Sequence, residues 1–186
     1  MTVSPRARMT ADAFIAWAME QPEGERYELV QGEIVAMAPE RSAHALTKAR
    51  IWRALDDAIA AAGLHCTAYP DGMSVEVDED TVYEPDVLVR CGEPLPDEAV
   101  KLQDPLIVVE VLSPSTRARD AGAKLEDYFR LPSLRHYLIV KTENRSVIHH
   151  RRGEAGRIET HILRGSGRLE LEPPGLVLTV ESFFRR

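Results

Sequence analysis

Two cysteines are all this chain of 186 residues contains. Cys66 and Cys91 stand far apart in sequence with no partner at metal-ligand spacing, so neither a zinc knuckle nor a disulfide framework is predicted. Both read as reduced thiols. No apolar run approaches the length of a membrane span, and residues Met1 to Arg8 lack the apolar stretch of a secretory signal. The expectation is a soluble cytoplasmic protein that meets no membrane. Several chemical signatures are also missing: the phosphate-cradling Gly-x-x-x-x-Gly-Lys-Ser/Thr, the dinucleotide Gly-x-Gly-x-x-Gly, the zinc-binding His-Glu-x-x-His and the nucleophile Gly-x-Ser-x-Gly. Internal repeats and low-complexity linkers are absent. With 44% hydrophobic residues, the simplest organisation is one domain over 1–186 that buries a core without cross-links.

Positive charge is scarce in the first part of the chain. Residues 1–100 carry 8 Lys/Arg against 19 Asp/Glu, whereas residues 101–186 carry 15 against 11, for an overall charge of -7. A nucleic-acid surface would therefore draw mainly on the second part. The overall sign argues against strong non-specific DNA binding, though divalent metal would offset acidic residues locally.

Hydrophobic spacing orders the elements. Thr10 caps a short helix carrying Phe14, Ile15, Trp17 and Ala18, which ends near Pro22 and Gly24. A hairpin over residues 26–37 turns at Gln31-Gly32, pairs Val30 with Glu33 and Glu28 with Val35, and puts Glu28 and Glu33 on one face. Ser42 to Ala62 is the longest helical segment, with Leu46, Ala49, Trp52, Leu55, Ile59 and Ala62 on its apolar stripe and Gly63 as its stop. His44 lies in its first turn; Lys48, Arg50 and Arg53 read as solvated charge. Strands follow over 64–69, 73–77 and 82–89. In the last of these Asp86 shares a face with Glu84 and Leu88, and Pro85 marks an edge or bulge. Residues 91–103, with Pro94 and Pro96, read as a surface loop.

Leu106 to Leu112 is the most apolar strand, and Glu110 interrupts it. An ionised carboxylate in such a place is costly unless it is paired, hydrogen-bonded or bound to a metal. Ser113-Pro-Ser-Thr116 ends that strand and offers Ser115 or Thr116 as the cap of a helix over 117–131. Asp120, Lys124 and Tyr128, four apart, share one face of it. A strand over 135–141 comes next, then another from Ser146, whose His149 and His150 point to opposite faces and read as structural. Short strands over 158–163 and 169–171 lead to a core-closing segment, 176–184.

Asp86, Glu110 and Lys124, with Glu28 or Glu33, assemble the inventory for phosphodiester cleavage: carboxylates to hold Mg2+ or Mn2+ and an amine to compensate charge or orient water. A glycosidase-type carboxylate pair would leave Lys124 idle.

These residues carry a family resemblance: Tyr27-Glu28-Leu-Val-Gln-Gly-Glu33, His44, Glu84-Pro85-Asp86, Val109-Glu110-Val-Leu-Ser113-Pro-Ser-Thr116, then Asp120, Lys124 and Tyr128 in order. Over roughly residues 10–184 the chain resembles the bacterial Uma-type group of putative restriction endonucleases within the PD-(D/E)xK nuclease superfamily. The resemblance implies an α/β fold with a restriction-endonuclease-like core, a mixed central β-sheet flanked by helices, preceded by the N-terminal helix and hairpin. It implies Asp86 and Glu110 as metal ligands, Mg2+ or Mn2+ as cofactor, DNA as substrate and a homodimer as assembly. The superfamily lysine belongs two residues after the glutamate, where this chain has Leu112, so Lys124 is expected to lend the amine from the next helix. His44, Asp120, Tyr128, Arg117 and Arg119 are candidates for phosphate or supporting contacts. The rival expectations are a catalytically idle module of the same fold that binds nucleic acid or protein, and a metal hydrolase of a small phosphodiester.

Overall fold

The computed structural model describes residues 8–112 and 118–185, with the side chains of 118–121 outside that description. In chain order the elements are α1 (Ala11–Ala18), β1 (Tyr27–Val30), β2 (Glu33–Ala36), α2 (Ser42–Ala62), β3 (Cys66–Pro70), β4 (Ser74–Asp78), β5 (Thr81–Tyr83), β6 (Val87–Cys91), β7 (Lys101–Leu102), β8 (Ile107–Leu112), α3 (Ala118–Tyr128), β9 (His136–Lys141), β10 (Ser146–Arg152), β11 (Ile158–Arg164), β12 (Arg168–Leu171) and β13 (Leu176–Thr179), followed by a 3-10 turn, Val180–Phe184. Among the described residues three sheets result. The central one runs β11-β10-β9-β8-β6-β3, a second runs β2-β1-β5-β4-β7, and β12 pairs with β13.

The central sheet is mixed because β8 lies parallel to β9 but antiparallel to β6. A parallel neighbour requires a crossover, which α3 supplies. Side-chain alternation then divides β8 between two layers. Ile107, Val109 and Val111 pack with Ile51, Leu55 and Ile59 of α2. Val108 instead joins Tyr128 and Phe129, together with Val75 and Tyr83 of the second sheet. Glu110 shares the parity of Val108 and so faces α3.

Local chemistry sets the element ends. Thr10 accepts a hydrogen bond from the Ala13 N–H, capping α1 as expected. Gln31 and Gly32 both take positive φ, 49° and 78°, the conformation a two-residue hairpin turn requires, and the hairpin register is the expected one. Gly63 closes α2 in the left-handed region at φ 62°, where its N–H reaches the carbonyls of Ala60 and Ile59.

Four expectations need correction. Residues 82–89 are not one strand: β5 ends at Tyr83 in the second sheet and β6 begins at Val87 in the central sheet, because Pro85 cannot continue a ladder. The loop after Cys91 contains β7, paired parallel to β4. Cys66 and Cys91 are not free thiols; β3 and β6 bring them into register as direct cross-strand partners, joined in a disulfide. The buried side of α2 is also rotated, carrying Thr47, Lys48, Ile51, Leu55 and Ile59, while Leu46 stays 55% exposed. Among the described residues no helix is long and apolar enough to cross a membrane.

The rotated face of α2 is directly testable. Ile51→Ala should lower unfolding stability by about 2–5 kcal/mol in chemical denaturation, since a fully buried side chain leaves a cavity. Leu46→Ala should stay within about 0.5 kcal/mol of wild type. Equal losses would contradict the packing of this helix.

Candidate active site

Asp86 and Glu110 are brought together by strand register. The antiparallel ladder of β6 and β8 pairs Val87 with Val109. One step further along that register sets Asp86 opposite Glu110, and directly opposed positions on one face lie within side-chain contact. The Asp86 carboxylate is fixed by the backbone: Oδ2 accepts from the Val111 N–H at 2.6 Å. Two like charges in this arrangement repel, so nearby cations or a retained proton must offset them.

The first cation comes from α3. Lys124 Nζ donates to Glu110 Oε1 at 3.0 Å and to Glu28 Oε1 at 2.7 Å, and it lies 4.9 Å from the centroid of the Tyr83 ring. One helical turn on, Tyr128 donates its hydroxyl to the same Glu110 oxygen at 3.1 Å. The spacing of four residues explains why both reach one carboxylate. Glu28, buried on β1, also accepts from the Glu84 N–H at 3.1 Å, tying the second sheet to the turn before Asp86.

The second cation comes from α2 and was not evident from the sequence. Lys48, 5% exposed, donates to Asp71 Oδ2 at 2.6 Å and Glu40 Oε1 at 2.8 Å, with Nζ 3.7 Å from Asp86 Oδ1. Arg26 completes this network through Glu84 and Asp71. A usable signal existed: Lys48, Ile51, Leu55 and Ile59 recur at three- and four-residue steps, a stripe as regular as the one through Leu46. One turn earlier, His44 meets the Val111 carbonyl oxygen with Nε2 at 2.6 Å and Glu40 with Nδ1 at 2.8 Å; Nε2 is 3.7 Å from Asp86 Oδ2.

Burial governs the protonation energetics. Glu110 is pushed up to about 7, first by desolvation, which Asp86 and Glu28 reinforce against the opposing pull of Lys124. Asp86 is raised by desolvation against the Val111 hydrogen bond and the nearby cations. Burial alone would lower the Lys124 ammonium, but Glu110 and Glu28 outweigh it and the group is raised, hence protonated at neutral pH. Lys48 follows the same pattern, with Asp71 and Glu40 prevailing over desolvation. The hydroxyl of Tyr128 is held well above the usual phenol range by desolvation and by Glu110.

Not every candidate joins the cluster. Glu33 is exposed on β2, the edge strand of its sheet, while Glu28 turns inward, so the hairpin contributes one carboxylate to the cluster and not two. Arg117 lies outside the described residues, as do Ser115 and Thr116 and the side chains of Arg119 and Asp120. His149 and His150 lie outside the direct contacts of the carboxylates: His149 meets His136, and His150 meets Thr160 and stacks on Tyr137. Among the described residues no three His, Cys, Asp or Glu side chains form a ready-made metal cage.

The chain is thus a mixed sheet flanked by helices in which Asp86, just before β6, lies opposite Glu110 of β8, and the crossover helix presents Lys124. The fold is similar to that of a putative nuclease of the DUF820 group from Anabaena variabilis, with a TM-score of 0.76 and 16% identity, covering 95% of this chain and 97% of that one. The chain belongs to the Uma2 family, described as putative restriction endonuclease, whose model matches residues 11–181. It is also 27% identical over 183 residues to the uncharacterized protein slr1290 of Synechocystis sp., covering 98% of this chain and 94% of that protein.

The environment of Glu110 yields a titration test. Its carboxyl should titrate near 7 in carbon-detected NMR, with the midpoint falling in Glu28→Gln, which removes a neighbouring negative charge, and rising in Lys124→Met, which removes the positive one. Because the folded value is raised, the contribution of Glu110 to stability is fully present below its unfolded range near 4.5 and is lost as pH rises through about 7. A Glu110 midpoint near 4.5 would contradict the burial described.

Proposed function

We propose that this protein is a metal-dependent endonuclease that hydrolyses phosphodiester bonds in DNA, with Asp86 and Glu110 holding Mg2+ or Mn2+ and Lys124 as the cation of the site. The observation that carries this reading is the reach of Lys124 from α3 to Glu110 and Glu28, which supplies an amine where Leu112 offers none. The donor set fits a hard divalent ion. Its groups are carboxylate oxygens, and magnesium commonly takes one or two carboxylates and completes its shell with water and substrate phosphate, so a full protein cage is not required. When bound, such an ion supplies an activated water and neutralises charge on the phosphoryl oxygens.

The chain's own residues divide the remaining work. Lys124 keeps its proton at neutral pH and therefore serves as a charge-compensating donor to the phosphate or the attacking water, not as a base. Tyr128 and Lys124 both donate to Glu110 Oε1, which orients that carboxylate. The Val111 N–H holds Asp86, and His44 fixes the carbonyl of the same residue, so one backbone unit carries contacts from both α2 and the catalytic carboxylate. Lys48 stands on the α2 side of Asp86, opposing a second negative charge that would otherwise accumulate there.

The reading predicts Mg2+- or Mn2+-dependent cleavage of plasmid and short single-stranded DNA. Glu110→Ala should fall to background, and Lys124→Ala should lose about 10²-fold or more, the scale seen when one preorganised charge-stabilising donor is removed. Undiminished cutting in Lys124→Ala would contradict the assignment. Metal binding without cleavage of any of these substrates would favour a binding module built on the same fold.

A further inference from the structure

The basic surplus in residues 101–186 leaves open where its charges are placed. Part of it gathers at a cavity of about 430 Å³ lined by Arg145, Gly165, Val180, Glu181, Phe184 and Arg185. Arg145 belongs to the turn joining β9 to β10, Gly165 follows β11, and the other four residues lie in or just after the 3-10 turn that closes the core. The backbone at Arg145 is unusual. Its φ of 48° lies in the left-handed region, uncommon for a residue with a long side chain and costing on the order of 1 kcal/mol. The guanidinium lies 5.7 Å from the centroid of the Phe184 ring, a cation–π arrangement that holds it over the cavity wall and leaves its N–H donors available. Among the described residues neither Arg145 nor Arg185 is in an ion pair with a carboxylate. Two arginines facing one glutamate leave the lining with an excess of one positive charge.

Topology puts this cavity at the same end of the sheet as Asp86 and Glu110 but on the α2 layer, since Val180 and Phe184 pack with Val109 and Val111 while Glu110 faces α3. β8 and β9 are parallel, and the register pairs Leu112, two residues beyond Glu110, with Lys141. The next residue, Thr142, donates its hydroxyl to the Leu112 carbonyl at 3.4 Å. The β9–β10 turn that carries Arg145 therefore leaves the sheet from the same end at which β8 delivers Glu110. A strand with one phosphate at the carboxylates has further phosphates on either side, each suited to a planar guanidinium.

We infer that Arg145 and Arg185 form a second phosphate-contact site for the DNA backbone, separate from the carboxylate cluster and reached by a strand that passes round this end of the sheet. This rests on the nuclease reading for its biological use but not for its measurement. Phosphate contacts position a strand without reading its sequence, so this site sets affinity and register and carries no base preference. Glu181 acts against the anion, and its removal should therefore have the opposite sign to removal of either arginine.

Fluorescence polarisation with labelled single-stranded and duplex DNA over a range of salt concentrations tests the assignment in the whole chain of 186 residues, without divalent metal so that no cutting intervenes. Arg145→Asn removes the charge while keeping a residue that tolerates the left-handed conformation, and Arg185→Gln removes the second charge at the chain's end. Each should weaken binding and reduce the slope of log affinity against log salt by about 0.7–0.9, the value for one lost phosphate contact. Glu181→Gln should tighten binding. Thermal melting identifies any variant whose fold has changed. Unchanged slopes in both folded arginine variants, weaker binding in Glu181→Gln, or no DNA binding by the wild type at low salt would each overturn the inference. If wild-type protein cuts DNA while the slopes stay unchanged, the nuclease reading survives and this site falls. If slopes change as stated but nothing is cut, the site stands and the nuclease reading falls.

Discussion

The arrangement depends on one buried ion cluster: the ammonium of Lys124 held between Glu28 and Glu110. Glu28 belongs to the second sheet, Glu110 to the central sheet, and Lys124 to the helix that crosses over between β8 and β9, so a single cation joins three separate elements. Removing one member of such a buried set costs about 3–5 kcal/mol, because the remaining charges are left desolvated and unpaired. A hydrophobic trio could have packed the same space at no such risk. What the charges give instead is three largely buried carboxylates, Glu28, Asp86 and Glu110, with a protonated amine against two of them.

A second set of charges mirrors the first on the opposite side of Asp86. Lys48, Glu40, Asp71 and Arg26 form a network anchored on α2 and the β1 hairpin side, and Lys48 and His44 each come within 3.7 Å of Asp86. Asp86 is thus held by the Val111 N–H and faced by Lys48 and His44 of α2, while Glu110 is faced by the cation of α3. The two acidic groups can coexist because each has its own compensating partner. Both carboxylates are nevertheless raised, first by desolvation and against the pull of these cations.

How far this was legible in the sequence depended on the kind of signal. Glu110 was visible because a carboxylate in an otherwise apolar strand breaks a pattern, and the Lys124–Tyr128 spacing followed from helical geometry. The hairpin register was equally plain, since Gln31-Gly32 fixes it locally. The choice between Glu28 and Glu33 was not, because both share a hairpin face and only the pairing of β1 with β5 makes β1 an inner strand, covering Glu28 and leaving Glu33 exposed on the edge. Lys48 escaped because two apolar stripes on α2 were equally regular, and which one meets the sheet is a tertiary outcome. The split at Pro85 into two sheets, and the cross-strand meeting of Cys66 with Cys91, likewise depend on partners distant in the chain.

The central claim is that Asp86 and Glu110 form one cation site in which Lys124 stands as a resident competing charge. Titration of metal-free protein with Mn2+, followed by the relaxation of water protons, tests it most directly. The account predicts one site whose affinity is abolished by Asp86→Asn and by Glu110→Gln and is increased by Lys124→Met, because the fixed positive charge no longer opposes the ion. Mn2+ affinity that is indifferent to Asp86→Asn and Glu110→Gln would contradict it.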